Sequence, residues 1–265
     1  MHLPALIEFL QGLEQNNNRP WFAWNKPAYD VLREEFQALV GDVAGRVAKF
    51  DRALGPVDPK KAMFRIYRDT RFSKDRTPYK THFSAALNDR AKRGLAPGYY
   101  FHIDHQGILL AGGGIYRPQP AMLANIRRHI AARPASLTRM LREPRFARRY
   151  GGLSDEDALK RPPKGFVADL PHIEAIKLRH YFGMIEVDVK KRPPKNLAAD
   201  LGLFVPKPSL QGSDVIAPNL AICRDAQGPD CLLDLGNVNF PQRRPPLMKA
   251  LWHATRKPRG PPRGV

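Results

Sequence analysis

Between Phe64 and Phe83 the sequence places Arg65, Arg68, Arg71, Lys74, Arg76 and Lys80 among Tyr67, Phe72 and Tyr79, together with Asp69, Asp75 and His82. Cationic side chains at that density suit an anion. Guanidinium groups grip phosphate or carboxylate as a fork, tyrosine and serine hydroxyls donate hydrogen bonds, and histidine or aspartate moves a proton near neutral pH. The candidate ligand-binding residues are therefore Arg65, Tyr67, Arg68, Arg71, Lys74, Tyr79 and Lys80, and the candidate catalytic residues are Asp69 and His82. A second wall is expected from the turn Asn16-Asn17-Asn18-Arg19-Pro20-Trp21, where Asn18, Arg19 and Trp21 gather amide, guanidinium and indole groups. The competing reading is a solvated loop whose Arg–Asp pairs only hold its shape.

Other chemistries have weaker signatures. His102-Ile103-Asp104-His105, with His82 on a neighbouring segment, resembles a metal site only until Asp104 and His105 are assigned to a turn, which leaves too few convergent ligands. No phosphate-cradling or dinucleotide glycine motif and no nucleophile elbow occurs, so no cofactor is expected. Gly112-Gly113-Gly114 marks a bulge or a close backbone approach. The two cysteines, Cys223 and Cys231, are too few for a disulfide framework and fit a reducing, cytoplasmic setting.

The elements that must position these residues follow from periodicity. Leu3, Leu6, Ile7, Leu10 and Leu13 have helical spacing, and so do Tyr29, Leu32, Phe36, Leu39, Val43, Val47 and Phe50; the three asparagines between them favour a cap and a turn. Strand alternation is predicted over Met63–Asp69, Thr81–Asn88, Tyr99–Asp104 and Ile108–Gly112, with a hairpin at Asp104-His105-Gln106-Gly107. Alternation puts Phe64, Ile66, Phe83, Phe101 and Ile103 in the core and gathers Arg65, Tyr67, Asp69, His82, Ser84, Tyr100 and His102 on an open face. Further helices are expected around Met122–Ile130, at Leu137–Leu141 and from Ser154-Asp155-Glu156-Asp157. Helix pairs flanking sequential strands indicate an α+β fold, an antiparallel sheet covered on one face by helices.

The chain has 265 residues, 44 Lys+Arg against 25 Asp+Glu, and a formal charge of +19. It is long enough for one sizeable core, and its excess of positive charge speaks of partners and solubility rather than fold. No run approaches the roughly 18 apolar residues of a membrane span, and the start lacks a signal-peptide pattern, so no membrane partner is expected. Residues 1–189 form the expected α+β domain. Residues 190–265 hold only three aromatics, Phe204, Phe240 and Trp252, and are expected to be a loosely ordered Pro/Gly-rich tail. Lys-Arg-Pro-Pro-Lys occurs twice, at 160–164 and 191–195, as extended connectors.

Asn16-Asn17-Asn18-Arg19-Pro20-Trp21-Phe22, the long block from Phe64 to His82, Gly98-Tyr99-Tyr100-Phe101-His102, Gly112-Gly113-Gly114 and Leu159-Lys160-Arg161-Pro162-Pro163-Lys164-Gly165-Phe166 together resemble the bacterial family catalogued as domain of unknown function 2461. The likeness spans about residues 3–188. It implies a single α+β domain of this size and carries no reaction, cofactor or catalytic residue. Where it stops, Lys190–Pro246 shows no helical stripe, as compensating frameshifts or an inserted segment would produce, and Pro246-Leu247-Met248-Lys249-Ala250-Leu251-Trp252 again looks like the family's last helix. Three functions follow as expectations: binding or turnover of an anionic small molecule at the basic cleft, nucleic-acid binding through the dispersed arginines, or a protein-interaction scaffold built on the tail. Oligomeric state has no signature in the sequence.

Overall fold

The computed structural model describes residues 1–204 except 52–53, 72, 88–96, 143 and 195. Helix α1 (Leu3–Gln15) turns its Leu6, Leu10 and Leu13 stripe inward. After the asparagine turn come a short α2 (Arg19–Trp24) and the long α3 (Lys26–Ala48), which buries Leu32, Phe36, Leu39, Val40, Val43 and Val47. The break behaves as the residue types require. Asn18 is the N-cap of α2, its Oδ1 accepting from the Trp21 N–H at 3.0 Å, and Pro20 occupies the first turn, where a missing N–H costs nothing. A single turn, α4 (Pro59–Ala62), precedes the sheet.

Four antiparallel strands follow in spatial order β1-β2-β3-β4: β1 (His82–Ala86), β2 (Gly98–Asp104), β3 (Ile108–Ile115) and β4 (Tyr181–Asp188). The β2–β3 hairpin closes through Asp104, whose Oδ1 accepts from the Gln106 and Ile108 N–H groups, and through Gly107 at φ +80°. Between β3 and β4 the chain forms α5 (Pro120–Ala132), α6 (Pro134–Arg142), α7 (Pro144–Tyr150) and the single turn α8 (Ile173–Ile176). All helices lie on one sheet face. Phe83, Phe101, Ile103, Leu109 and Ile185 pack there with α1 and α3, around Phe36, whose ring centre is 5.5 Å from Phe83 and 5.6 Å from Phe101. Farther along the same face, Ile115 and Tyr181 join Ile126, Ile130, Leu137, Phe146 and Ile176 in a second cluster.

The glycine run is a close approach within β3. Gly113 opposes Gly183, a Cβ on Gly112 would fall 2.3 Å from the Gly183 carbonyl oxygen, and α7 lays Phe146 and Tyr150 over Gly183.

Four expectations need correction. Met63–Asp69 is not a strand: it makes only isolated bridges, Met63 to Ala85 and Tyr67 to Tyr79. Phe64 is consequently not core, at 37% exposed, whereas Ile66, Phe83, Phe101 and Ile103 are buried. Ser154–Asp157 forms a turn with Asp157 at φ +64°, because no apolar stripe follows the would-be cap before Pro162 and Pro163. Finally, the chain beyond 189 is not all loose. Helix α9 (Leu197–Phe204) buries Leu197, Ala198 and Leu201 and packs against α3. Its stripe spans barely two turns, too short to register as periodicity, and tertiary contact with α3 stabilises it. The remainder of the expected tail and of the frame-altered segment, residues 205–265, lies outside the described residues.

Candidate functional site

The basic segment folds as a small ribbon. Phe64 N–H donates to the Ser84 carbonyl at 2.9 Å, after which the chain bends away from β1 and pairs with itself: Lys80 N–H to Ile66 O at 2.7 Å and Arg68 N–H to Pro78 O at 2.8 Å. Residues 69–77 are its tip, and there the charges satisfy one another. Arg68 donates to the Asp75 carboxylate and to Thr77 Oγ1, and Asp75 also accepts from the Thr77 N–H at 2.9 Å. Arg71 forks onto Asp69 at 3.0 and 2.8 Å, and Arg76 reaches the Thr70 carbonyl at 3.0 Å. Hydrogen bonds from Arg71 hold the Asp69 carboxyl down to about 2, and the Thr77 N–H with Arg68 does the same for Asp75. Asp69 thus sits in solvent, ionised and paired, away from the sheet face on which alternation was expected to place it. Lys74 is exposed on the same tip.

The asparagine turn does stand beside the ribbon. The Asn17 side chain accepts from the Tyr79 N–H and donates to the Tyr79 carbonyl, both at 3.0 Å, as a neighbouring strand would. Phe22 stacks on Tyr79 at 4.1 Å, and Tyr67, 54% exposed, leans on both rings at 5.4 and 6.0 Å. Asn18 is occupied in capping α2, and Trp21 packs against Phe9 and Gly12. Arg19 stays exposed, close enough to Tyr79 to favour its phenolate, although burial pushes that phenol up overall.

On the sheet face turned away from the helices, strand register sets Ser84, His102, Leu110 and Glu186 side by side, with His82 and Tyr100 flanking them. The imidazoles of His82 and His102 lie 5.2 Å apart, centre to centre. Tyr100 hydroxyl is 3.0 Å from His102 Nδ1 and is also hydrogen-bonded by Ser84. Phe64 leans edge-on against Tyr100 at 6.1 Å, and Lys80 Nζ sits over the Phe64 ring at 5.5 Å while donating to the Arg65 carbonyl at 2.9 Å.

The electrostatics of this corner are lopsided. Burial, then Arg65 and Arg68, lower the Lys80 ammonium. Burial depresses His82 to about 3, with His102, Lys80, His105 and Arg68 adding to it, and depresses His102 to about 4. Both imidazoles are therefore neutral proton acceptors at physiological pH. Glu186 is raised by burial and by Asp104, and Asp104 in turn is raised by burial. Asp104 is 2% exposed, and its second oxygen, Oδ2, has no hydrogen-bond partner among the described residues.

Sequence reasoning found His82, Ser84, Tyr100 and His102 as one face. It missed Glu186, although Phe182, Met184, Glu186 and Asp188 alternate to that face along β4. The ribbon carries Arg65, Arg68 and Lys80 to this corner, while Arg71 and Lys74 stay at its tip, Tyr67 and Arg19 are exposed on its other side, and Tyr79 is buried there against Phe22. Among the described residues, no group of three or more His, Cys, Asp and Glu is placed to hold a metal ion, and no helix is long and apolar enough to cross a membrane.

Compared with known proteins, residues 5–202 match a family model described as a conserved hypothetical protein, DUF2461. No curated protein and no solved structure matches the chain.

Proposed function

The chain belongs to the DUF2461 family of conserved hypothetical proteins, and from that premise, which brings no reaction with it, we propose that it binds or turns over an anionic, phosphate- or carboxylate-bearing small molecule where the ribbon meets the histidine face. Lys80 carries the argument. It is half-buried, has Arg65 and Arg68 for neighbours, and has no carboxylate within ion-pair distance among the described residues. Desolvating a cation beside other cations is costly unless an opposite charge arrives. An anion held by Lys80 and Arg65, with Arg68 adjoining, removes that cost.

The interior then has a role. Two neutral imidazoles lie beneath a cationic rim, and an anion there offsets the part of the His82 depression that Lys80 and Arg68 add to burial, raising its proton affinity. His82 is the proton acceptor facing the ligand. His102 supports it, its ring oriented by Tyr100 and through it by Ser84. Tyr67 and Arg19 offer a wall on the ribbon's far side, Tyr79 backs it from the core, Asn18 and Trp21 hold the turn that supports it, and Arg71 and Lys74 stand at the entrance. Asp69 contributes through Arg71 and not by proton transfer, since Arg71 keeps it ionised.

Calorimetry with inorganic phosphate and phenyl phosphate tests this, at low salt and again near 0.15 M. Lys80→Met and Arg65→Ala are each expected to weaken binding at least about tenfold, the equivalent of about 1.4 kcal/mol, with the fold intact by circular dichroism. Unchanged affinity in both variants overturns the site. Wild-type binding that vanishes at the higher salt identifies diffuse electrostatics and favours the nucleic-acid alternative for the whole chain.

A further inference from the structure

A second concentration of positive charge lies on the other side of the sheet. From Pro120 to Tyr150 the sequence has eight arginines, at 127, 128, 133, 139, 142, 145, 148 and 149, and one acidic residue, Glu143. Helices α5, α6 and α7 turn Ile126, Ile130, Leu137 and Phe146 into one apolar cluster, so their opposite sides form the outer surface of a single layer. Arg127 points inward: it donates to the Ile176 and Leu178 carbonyls at 2.8 and 3.0 Å and ties α5 to the chain entering β4. Arg128, Arg133, Arg139, Arg142 and Arg148 are exposed. Arg128 reaches only the neutral Asn125, and Arg148 only the Pro144 carbonyl at 3.2 Å. No carboxylate among the described residues lies within ion-pair distance of Arg128, Arg139, Arg142 or Arg148.

We propose that this helical layer binds the phosphate backbone of double-stranded nucleic acid, independently of base sequence. Three observations select that partner. The charge is entirely arginine, whose fork fits phosphate in two bonds where lysine offers a point charge. Helix α5 alone, at 13 residues, is about 20 Å long, so the layer spans several consecutive phosphates rather than one small ion. Among the described side chains, large exposed apolar ones occur at Trp24, Val31, Phe64, Tyr67 and Val167 and none on α5 to α7. The described side chains of the layer thus offer neither the aromatic platforms on which single-stranded bases stack nor the apolar wedge with which an amphipathic helix enters a lipid surface.

The test is fluorescence anisotropy of the full chain with a labelled random-sequence duplex and with one of its single strands, across a salt series. The triple variant Arg128→Glu, Arg139→Glu, Arg142→Glu is compared with Arg46→Glu, Lys49→Glu, Lys60→Glu, three exposed residues elsewhere whose reversal changes net charge equally. The helical variant is expected to bind duplex at least 30-fold more weakly (about 2 kcal/mol) and to lose about 2.7 from the slope of log affinity on log salt, three phosphate contacts' worth. The control is expected to lose less than threefold. If charge reversal disturbs the fold, the same three positions changed to Gln provide the comparison, with a smaller loss in the same direction.

Equal losses in both triple variants overturn the proposal, because net charge alone then explains binding. So does an unchanged helical variant, tighter binding of the single strand than of the duplex, or binding to phosphatidylserine vesicles without binding to duplex. Phosphate affinity at Lys80 is read on the same samples. Its persistence in the helical variant separates the two sites, so that either can fail alone.

Discussion

The ribbon from Phe64 to Phe83 and the helical layer from Pro120 to Tyr150 are both crowded with cations, yet they treat them differently. In the ribbon, Asp69 and Asp75 sit within reach of Arg71 and Arg68, and most of the tip's charge is neutralised locally. In the helical layer Arg127 is built into the fold, while Arg128, Arg139, Arg142 and Arg148 are exposed with no carboxylate among the described residues within ion-pair distance. Charge density along a sequence therefore says little about a site. What matters is how the fold compensates them: among the described residues, no carboxylate lies within ion-pair distance of Lys80 at one place or of Arg128, Arg139, Arg142 and Arg148 at the other.

The largest effect expected from this contrast is structural. Arg127→Ala removes two charge-assisted hydrogen bonds to carbonyls that then lose their donors, so urea denaturation is expected to show a loss of about 2–4 kcal/mol. A loss no greater than that of Arg128→Ala would erase the distinction between the inward arginine and the outward ones.

A second effect concerns pH. His82 and His102 are held near 3 and 4 in the fold, below the ordinary value of 6.5. The unfolded chain therefore binds more protons in that interval, and stability is full above about pH 6.5 and falls as pH drops toward 3. His102→Gln is expected to flatten that slope in urea titrations between pH 4 and 7. Saturating phosphate is expected to move the His82 proton resonance titration upward toward neutrality, and a titration that stays put would place the anion elsewhere.

The smallest effect belongs to the ribbon's tip. Arg71→Gln breaks an exposed ion pair and is expected to leave the urea midpoint almost unchanged. Asp75→Asn, which removes the carboxylate from the partly covered Arg68, is expected to cost more than that. Parity between the two would show that Arg68 holds nothing.

The sheet face was legible because alternation is a local property: Phe83, Phe101 and Ile103 point one way and His82, Ser84, Tyr100 and His102 the other. Strand β4 was harder to see. Gly183 interrupts its pattern, and Tyr181, Phe182 and Ile185 are buried on both faces, so Glu186 had no periodic frame around it. The ribbon was misread for a related reason. Phe64, Ile66 and Tyr67 suit a strand by type, but Ile66 and Arg68 pair with Lys80 and Pro78 across a tip held by its own charges, and single-residue propensity cannot express that choice. Helix α9 depends on α3 for its burial, a contact with no trace in its own eight residues.

The Asn17 clamp sets a chemical clock on this architecture. A carboxamide can serve the Tyr79 N–H and carbonyl together because it presents an acceptor and a donor side by side. Hydrolysis of that amide to aspartate changes one nitrogen to oxygen, leaving a carboxylate oxygen against the Tyr79 carbonyl oxygen. The ageing product repels what the fresh protein holds. The turn carrying Arg19 and the ribbon carrying Tyr79 would then be pushed apart at this seam, where Tyr79 and Phe22 are buried against each other.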